Sequence, residues 1–216
     1  NVTFAIDRAG LVGADGPTHA GSFDISFLSC IPNIIIMTPS NHNEMYVMLN
    51  TAYHHKGPAA VRYPRGACST QPFYDKNNND IIAIGAARTI IQTTEQEKKI
   101  AILNFGHLLE TAQEVSAKIN CTLVDMRFVK PLDKNKIYEI AHTHDYIITI
   151  EENSVLGGAG SNVSDYLNNE LNISKKILNI GLPDKFIEHQ SIEEMRHEVD
   201  LDCKGILTRI QNFVAD

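Results

Sequence analysis

The sequence contains no tryptophan and only four cysteines among its 216 residues. The cysteines lie far apart and form no CxxC pair; they are Cys30, Cys68, Cys121 and Cys203. This spacing disfavours a zinc site and supplies no disulfide framework, so we expect a reduced, cytoplasmic setting. No apolar run approaches the roughly 18 residues that a membrane-spanning helix needs, and we expect no membrane partner.

Basic residues are fewer than acidic ones, with 19 Lys and Arg against 26 Asp and Glu, which gives a net charge of −7. Non-specific nucleic-acid binding needs a basic face, so no nucleic-acid partner is expected. A hydrophobic share of 43% and a charged share of 21% are ordinary globular values, which excludes a collagen-like or disordered chain. At about 150 residues per domain, the length allows one large domain or two small ones.

The chain opens almost at once in an apolar run over residues 2–7, which is typical of a buried strand. A strand of this kind needs neighbours on both sides. Because residue 1 is Asn, and no charged segment followed by an apolar one comes after it, we expect this sequence to be the C-terminal part of a longer polypeptide.

Strands and helices alternate along the sequence, which predicts an α/β fold with a mostly parallel sheet. Residues 1–66 show only part of this alternation, residues 67–80 read as a polar linker, and residues 81–216 form a complete α/β domain. The last segment is therefore expected to be the more stable unit. Ser40 and Asp133 are predicted helix N-caps, and Ser191 with Glu194 has the spacing of a capping box.

The first candidate site is a glycine-rich loop after the first strand, in which Arg8, Asp15 and His19 stand out. Ligands of parallel sheets bind outside the carboxyl ends of the strands. The loop is therefore either an acid/base or anion-contacting site, or a turn in which Asp15 makes an Asx hydrogen bond and His19 is solvated. The spacing alone favours neither interpretation.

The second candidate is the segment Arg62-Tyr63-Pro64-Arg65-Gly66, at the end of another strand. Taken alone, either arginine is more simply a surface residue paired with a carboxylate. The guanidinium group, however, offers planar bidentate donors that suit a phosphate. Two strand-end arginines, Arg8 and Arg65, favour anion binding.

A third segment, Glu151–Gly160, could hold a phosphate on a helix N-terminus. It is not a GxGxxG motif, and tight packing of a helix against its sheet is the favoured interpretation, with Glu151 and Glu152 as interface carboxylates. The histidine pairs His54-His55 and His142-x-His144 are read as surface residues.

Eight segments, in order along the chain, resemble the 1-deoxy-D-xylulose-5-phosphate synthase family, whose members are transketolase-like and depend on thiamine diphosphate. Three resemble the second half of the family's pyrimidine-binding domain: DRAGLVGADGPTHAGSFDISFL, CIPNIIIMTPS and AVRYPRG. Five resemble its C-terminal domain: KIAILNFG, LVDMRFVKPLD, ITIEEN, LGGAGS and LNIGLPD. The resemblance implies a partial pyrimidine-binding domain followed by a complete transketolase C-terminal-type domain.

The resemblance also implies an activity. The family condenses pyruvate with D-glyceraldehyde 3-phosphate, releases CO2 and forms 1-deoxy-D-xylulose 5-phosphate, a precursor of isoprenoids, thiamine and pyridoxal. Its members work as homodimers with thiamine diphosphate and Mg2+. Arg8 and Arg65 match positions that bind the phosphate of the aldehyde, and Asp15 and His19 match positions that contact the thiamine-bound intermediate and the acceptor.

The departures from the family pattern concern the cofactor. The magnesium motif, GDG followed by a distant Asn, is absent, and the only similar string is Ala14-Asp15-Gly16. The glutamate that activates the cofactor, and the aromatic residues that stack on it, are expected before residue 1. We therefore expect little cofactor affinity, and little activity, from these residues alone.

Two alternatives remain open at this point. One is another transketolase-like enzyme, either transketolase itself or the β subunit of a 2-oxo acid dehydrogenase. The other is a chain without catalysis, such as an assembly module that pairs with a separate N-terminal subunit.

Overall fold

The structure is a computed structural model, and it describes residues 1–66, 80–94 and 97–215. The predicted linker at 67–80 lies outside these ranges except for its last residue. The division of the chain into three segments therefore stays a prediction. No helix within the described residues has both the length and the apolar character needed to cross a membrane.

Nine strands and seven α-helices are present in the described residues. The strands are β1 (Val2–Ile6), β2 (Ile35–Met37), β3 (Pro58–Arg62), β4 (Arg88–Ile91), β5 (Ile100–Phe105), β6 (Thr122–Asp125), β7 (Phe128–Lys130), β8 (Tyr146–Ser154) and β9 (Lys176–Leu182). The helices are α1 (Asp24–Ser29), α2 (His42–His54), α3 (Leu109–Ile119), α4 (Lys134–Thr143), α5 (Ala159–Asp165), α6 (Ile192–Glu198) and α7 (Cys203–Ala215). A short 3-10 helix spans Gly13–Thr18.

The strands form two sheets, and both are mostly parallel, which confirms the predicted α/β class. The first sheet has the order β1-β3-β2-β7, and the second has the order β4-β6-β5-β8-β9. Two of the strands, β4 and β7, were not predicted from the sequence, and both are short and run antiparallel to their neighbours. The strand β7 comes from the second half of the chain but pairs with β2 of the first sheet.

The first strand is an edge strand rather than a buried one. It pairs with β3 only, in a parallel register that sets Ile6 opposite Arg62. Val2 and Phe4 are about half exposed, at 49% and 47%. The predicted strand is therefore present, but other described residues cover only about half of Val2 and Phe4.

One hydrophobic core joins the two sheets. It contains Ile36 and Ala60 of the first sheet together with Leu103 and Val124 of the second. Helix α1 adds Ile25 and Leu28 to this core, whereas its Phe27 is 60% exposed. The two halves of the chain therefore share a core instead of packing as separate units.

Two of the predicted helix caps are confirmed and one is wrong. Asp133 accepts from the backbone N–H of Lys136 at 2.9 Å, and Ser191 forms a complete capping box with Glu194. Helix α2, in contrast, is capped by Asn41 and not by Ser40. The Ser40 hydroxyl donates instead to Asp125 at 2.8 Å. This hydrogen bond links the segment between β2 and α2 to strand β6 of the second sheet.

A partly buried charge cluster also joins the halves. Glu44 of helix α2 lies 2.7 Å from Arg127 and 3.2 Å from Arg88. Arg88 also reaches Asp125, at 3.4 Å. Burial, with a smaller contribution from the charge of the nearby Glu44, raises the pKa of Asp125 to about 6 despite the Ser40 hydrogen bond. The interface between the halves is thus held by ion pairs as well as by apolar packing.

Candidate functional site

The parallel pairing of β1 with β3 brings two of the three candidate loops together. Ile6 and Arg62, the last residues of these strands, are register partners. Beyond them the chains stay in contact, because the backbone N–H of Ala9 donates to Tyr63 O at 3.0 Å and Tyr63 N donates to Ile6 O at 2.9 Å. The loops that carry Arg8 and Arg65 therefore leave the sheet side by side.

Three of the four predicted site residues meet at one carboxylate. Asp15 Oδ2 accepts from Arg8 Nε at 3.1 Å and forms a short hydrogen bond with Arg65 Nη1. The hydrogen bond from Arg65, followed by that from Arg8, holds the pKa of Asp15 below its ordinary value. The three side chains remain partly exposed, at 36% for Arg8, 25% for Asp15 and 56% for Arg65. They form a cluster that a ligand can reach.

The one net positive charge of this cluster is offset by a second carboxylate, Asp7. Arg8 also pairs with Asp7 through Nη1 at 2.9 Å, so that two arginines face two carboxylates. The predicted anion site is therefore occupied by the protein's own carboxylate. An incoming phosphate has to compete with Asp15 for the guanidinium N–H groups, which remain planar donors suited to it.

His19 lies close to this cluster along the chain but does not bond Asp15 in the structure. Its Nδ1 is 2.8 Å from the Thr18 hydroxyl, and that hydroxyl is 3.3 Å from the Asp15 carbonyl oxygen. The imidazole is exposed. The turn that carries it needs Gly16, whose φ of 62° lies in the left-handed region.

Arg62, the other arginine of the second loop, is a structural residue. Its side chain is 1% exposed, and it pairs with Asp24 at 2.7 Å. It also donates to the carbonyl oxygens of Gly21 at 2.6 Å and Glu152 at 2.8 Å. Pairing with a carboxylate was the simpler expectation for an isolated arginine, and for Arg62 this pairing takes place in the interior.

The glycine-rich segment before helix α5 serves packing, as expected. Glu151 lies inside β8 and accepts from the N–H groups of Ala159 and Gly160, both at 2.8 Å. Its carboxylate therefore fills the helix N-terminus that a phosphate would otherwise use. A Cβ on Gly160 would lie 2.3 Å from Thr149 Oγ1, so the helix can approach the sheet only with glycine here. Burial raises the pKa of Glu151 to about 7.

Two residues that the sequence analysis did not single out, His107 and Arg196, lie beside the arginine cluster. Both line a cleft of about 590 Å3 between the two halves, and Tyr63 and Arg65 line it from the first half. Both also contact Glu152, whose expected role as an interface carboxylate stays a prediction. No local motif marks either residue, because their strands and helices are brought to Arg65 only by the tertiary fold.

The described residues do not fit a magnesium–diphosphate site. They contain no group of three His, Cys, Asp or Glu side chains arranged to hold a metal ion. Asp15, which lies in the string most similar to the magnesium motif, is held by two arginines. A metal ligand set cannot be built around it in this arrangement.

The fold and the site define a class of protein. Residues 1–70 match the family described as transketolase, pyrimidine binding domain, and residues 90–206 match transketolase, C-terminal domain. The chain therefore belongs to the transketolase family. Two solved structures support the fold: a split gene transketolase, described as an inactive beta4 tetramer, and a transketolase from Campylobacter jejuni subsp. jejuni NCTC 11168.

The first of these structures is 22% identical in sequence, with a TM-score of 0.81 over 100% of this chain and 67% of that one. The second is 16% identical, with a TM-score of 0.67 over 97% of this chain and 31% of that one. At these identities the likeness supports the fold alone.

The more similar relatives carry one particular name, 1-deoxy-D-xylulose-5-phosphate synthase. The relative from Shewanella frigidimarina (strain NCIMB 400) is 50% identical over 215 residues, which is 99% of this chain and 34% of that protein. The relative from Haemophilus influenzae (strain PittGG) is 52% identical over 217 residues, which is 99% of this chain and 33% of that protein. The chain thus spans about a third of the length of these relatives.

Proposed function

We propose that this chain is part of a 1-deoxy-D-xylulose-5-phosphate synthase, and that it supplies the residues that bind the aldehyde acceptor. The complete enzyme joins pyruvate to D-glyceraldehyde 3-phosphate, releases CO2 and forms 1-deoxy-D-xylulose 5-phosphate. The observation that carries the proposal is the identity of about 50% over 99% of the chain to relatives of that name. The cluster of Arg8, Asp15 and Arg65 at adjacent strand ends supports it independently, because it suits a phosphorylated substrate.

In this proposal the two arginines bind the phosphate of the acceptor. Before substrate arrives, the Asp15 carboxylate holds both guanidinium groups in place. A phosphate dianion carries more charge than a carboxylate and accepts more hydrogen bonds. It therefore takes over donors from Asp15, which is then free to accept a hydrogen bond from a hydroxyl group of the acceptor.

His19 has the role of a proton-transfer residue. Imidazole groups are common proton donors and acceptors in catalysis. It is exposed and follows the turn that contains Asp15. A phosphate bound at Arg8 and Arg65 leaves the carbonyl end of the acceptor pointing away from the arginines, and we assign His19 to that end.

Thiamine diphosphate and Mg2+ are proposed as cofactors of the complete enzyme, which works as a cytoplasmic homodimer. The described residues do not form a metal site. Their proposed part is therefore limited to binding the acceptor and moving its proton, and residues outside this sequence supply the cofactor site.

The test is a product assay on the complete protein with pyruvate, D-glyceraldehyde 3-phosphate, thiamine diphosphate and Mg2+. Formation of 1-deoxy-D-xylulose 5-phosphate, with CO2 released in equal amount, supports the proposal. Ketol transfer between sugar phosphates without CO2 would identify a transketolase instead. Acyl transfer to a lipoyl group would identify a 2-oxo acid dehydrogenase, and no turnover with any of these substrates would favour the assembly module.

A further inference from the structure

Glu152 of strand β8 contacts the backbone of the loop that carries Arg8 and Asp15. Its Oε1 accepts from the backbone N–H of Leu11 at 2.9 Å. Leu11 lies between the two cluster residues in the sequence. A carboxylate from the second sheet is therefore bonded to the middle of the first candidate loop.

The other carboxylate oxygen of Glu152 is held by two basic side chains. Oε2 accepts from His107 Nε2 at 2.5 Å and from Arg196 Nη2 at 3.0 Å. His107 follows β5 and Arg196 lies on α6, so that side chains from two other parts of the second half converge on this carboxylate of β8. These two contacts hold the carboxylate in place beside Leu11.

The charge on Glu152 is maintained although the side chain is only 1% exposed. Burial alone would raise its pKa, but the charge and hydrogen bond of His107, the charge of Arg196 and the Leu11 N–H together lower it to about 2. A charged acceptor binds a backbone N–H more strongly than a neutral one. The loop is thus anchored by an ionised group over the whole neutral range.

The loop backbone also packs directly on this side chain. A Cβ on Gly10 would lie 2.7 Å from Glu152 Cγ, and Gly10 has a φ of 74°, which favours glycine. Two further hydrogen bonds hold the same stretch, from Gly10 N to Gly21 O at 2.8 Å and from Gly21 N to Arg8 O at 2.9 Å. Contact with Glu152 therefore fixes the backbone from which the Arg8 side chain extends.

We propose that Glu152, held by His107 and Arg196, is a positioning residue that sets the Arg8–Asp15–Arg65 cluster for the phosphate of the acceptor. It acts through the Gly10–Leu11 backbone and does not itself touch substrate. This inference rests on the proposed function for the identity of the ligand, but the contact it invokes is a property of the chain. It assigns to the second half of the chain a direct part in acceptor recognition.

The test compares Glu152→Gln with Glu198→Gln in the complete enzyme. Glutamine has the same size as glutamate but carries no charge, and it presents only one oxygen to three donors. Glu198 lies on α6 beside Arg196 but is on the surface, where it pairs with Lys185. It therefore controls for the loss of a carboxylate that does not contact the first candidate loop in the structure.

The first measurement is the ratio of kcat/KM for D-glyceraldehyde 3-phosphate to kcat/KM for D-glyceraldehyde. Because misplacement of a binding group is costly, we expect Glu152→Gln to lower this ratio at least ~10-fold, and Glu198→Gln to leave it unchanged. Arg196→Gln, at a side chain that is 27% exposed, removes one partner of Glu152 and serves if the first variant folds poorly. Arg196→Gln should also lower the ratio of kcat/KM for the two acceptors.

The second measurement does not depend on activity. Amide hydrogen exchange of peptides that cover residues 8–16 should become faster in Glu152→Gln and stay unchanged in Glu198→Gln. Faster exchange throughout the protein, with equal loss on both acceptors, would make Glu152 a structural residue and overturn the proposal.

The outcomes also separate this inference from the proposed function. A wild-type enzyme that forms no 1-deoxy-D-xylulose 5-phosphate contradicts the function, whatever the exchange data give. An active wild type whose Glu152→Gln and Arg196→Gln variants keep the wild-type ratio contradicts the positioning role alone.

Discussion

Arg65 and Asp15 form an ion pair although they are 50 positions apart in the chain. The same Asp15 oxygen accepts from Arg8, so that one carboxylate holds two guanidinium groups at the carboxyl edge of the first sheet. Both guanidinium groups are thus paired with Asp15 before substrate binds. A phosphate has to compete with Asp15 for their N–H groups. The first three predictions examine these roles in the complete enzyme.

Removing either arginine should weaken binding of the phosphorylated acceptor. We expect Arg65→Ala, or Arg8→Ala, to raise the KM for D-glyceraldehyde 3-phosphate at least ~10-fold, the scale for losing a charge-assisted contact. The KM for pyruvate, which carries no phosphate, should move much less. Steady-state kinetics with D-glyceraldehyde provides the control. Equal losses on both acceptors would mean that the arginines support the fold instead of binding the phosphate.

Neutralising Asp15 should have the opposite effect on phosphate affinity. In Asp15→Asn both guanidinium groups lose the charge of Asp15, and Arg8 keeps only Asp7 as a charged partner, so that an anion meets less competition for them. We expect inorganic phosphate to inhibit this variant at a concentration several-fold lower than it inhibits the wild type, while kcat falls because the acceptor loses its hydrogen-bond partner. Asp7→Asn, which removes the charge of the other carboxylate that pairs with Arg8, is the matched comparison. Weaker inhibition by phosphate in Asp15→Asn would contradict competition at this site.

Replacing His19 should slow turnover without changing stability. We expect His19→Ala to lower kcat by ~10²-fold, which is the usual scale for a positioned acid/base group. The unfolding midpoint should stay close to that of the wild type, because the imidazole is exposed and its hydrogen bond is to the adjacent Thr18. Unchanged turnover would leave His19 as a residue of the turn only.

The sequence predicted those parts of the fold that local patterns determine. The long strands and helices of the second half were found because each repeats apolar residues over several turns or alternations. Strands β4 and β7 were missed because they are short and antiparallel, and because β7 pairs with a strand of the other half. The Ser40 cap was wrong since Asn41 stands beside it and Ser40 is drawn to a buried carboxylate, Asp125, that the sequence does not bring near it.

The candidate site was predicted in the same uneven way. Arg8, Asp15 and Arg65 could be found because parallel strands place their carboxyl ends together, and the structure brings these three residues into contact. The ion pairs among them were not foreseen, because the sequence gives no distance between loops. His107 and Arg196 were missed because no pattern around them differs from that of surface residues, and only the packing of the second sheet brings them to Glu152.

Asp125 should make stability depend on pH between about 4 and 6. Burial raises its pKa in the folded chain from an ordinary 3.8 to about 6. Between these two values the folded state holds a proton that the unfolded state has lost. The free energy of unfolding that this proton contributes is therefore fully present below pH 3.8 and is lost as pH rises past 6. A shift of this size corresponds to roughly 3 kcal/mol. Urea unfolding at several pH values should show that, as pH rises from 4 to 6, the free energy of unfolding of Asp125→Asn increases relative to that of the wild type.

Asp202 provides the control of opposite sign. It caps helix α7 by accepting from Gly205 N at 2.6 Å. Its burial would raise its pKa, but the Gly205 hydrogen bond and His197 lower it below 3.8. The stability that it contributes is lost only as pH falls below that value, so the difference between Asp202→Asn and wild type should be constant from pH 4 to 6. A constant difference for Asp125→Asn as well would contradict a raised pKa at that residue.

Cutting the chain between its halves should leave the two pieces together. The sequence alone predicts that residues 81–216 form the more stable unit and that residues 67–80 are cut first. The structure adds that β7 pairs with β2 of the first sheet and that Ile36 and Ala60 share a core with Leu103. A specific protease site inserted within residues 67–79 should therefore give two fragments that elute as one species in gel filtration and separate only in denaturant. Replacing Ala60 by Asp, which puts an unpaired charge into the shared core, should release the fragments after the same cut. Fragments that separate without any substitution would show that each half is held by its own contacts, and that the shared core contributes little to keeping them together.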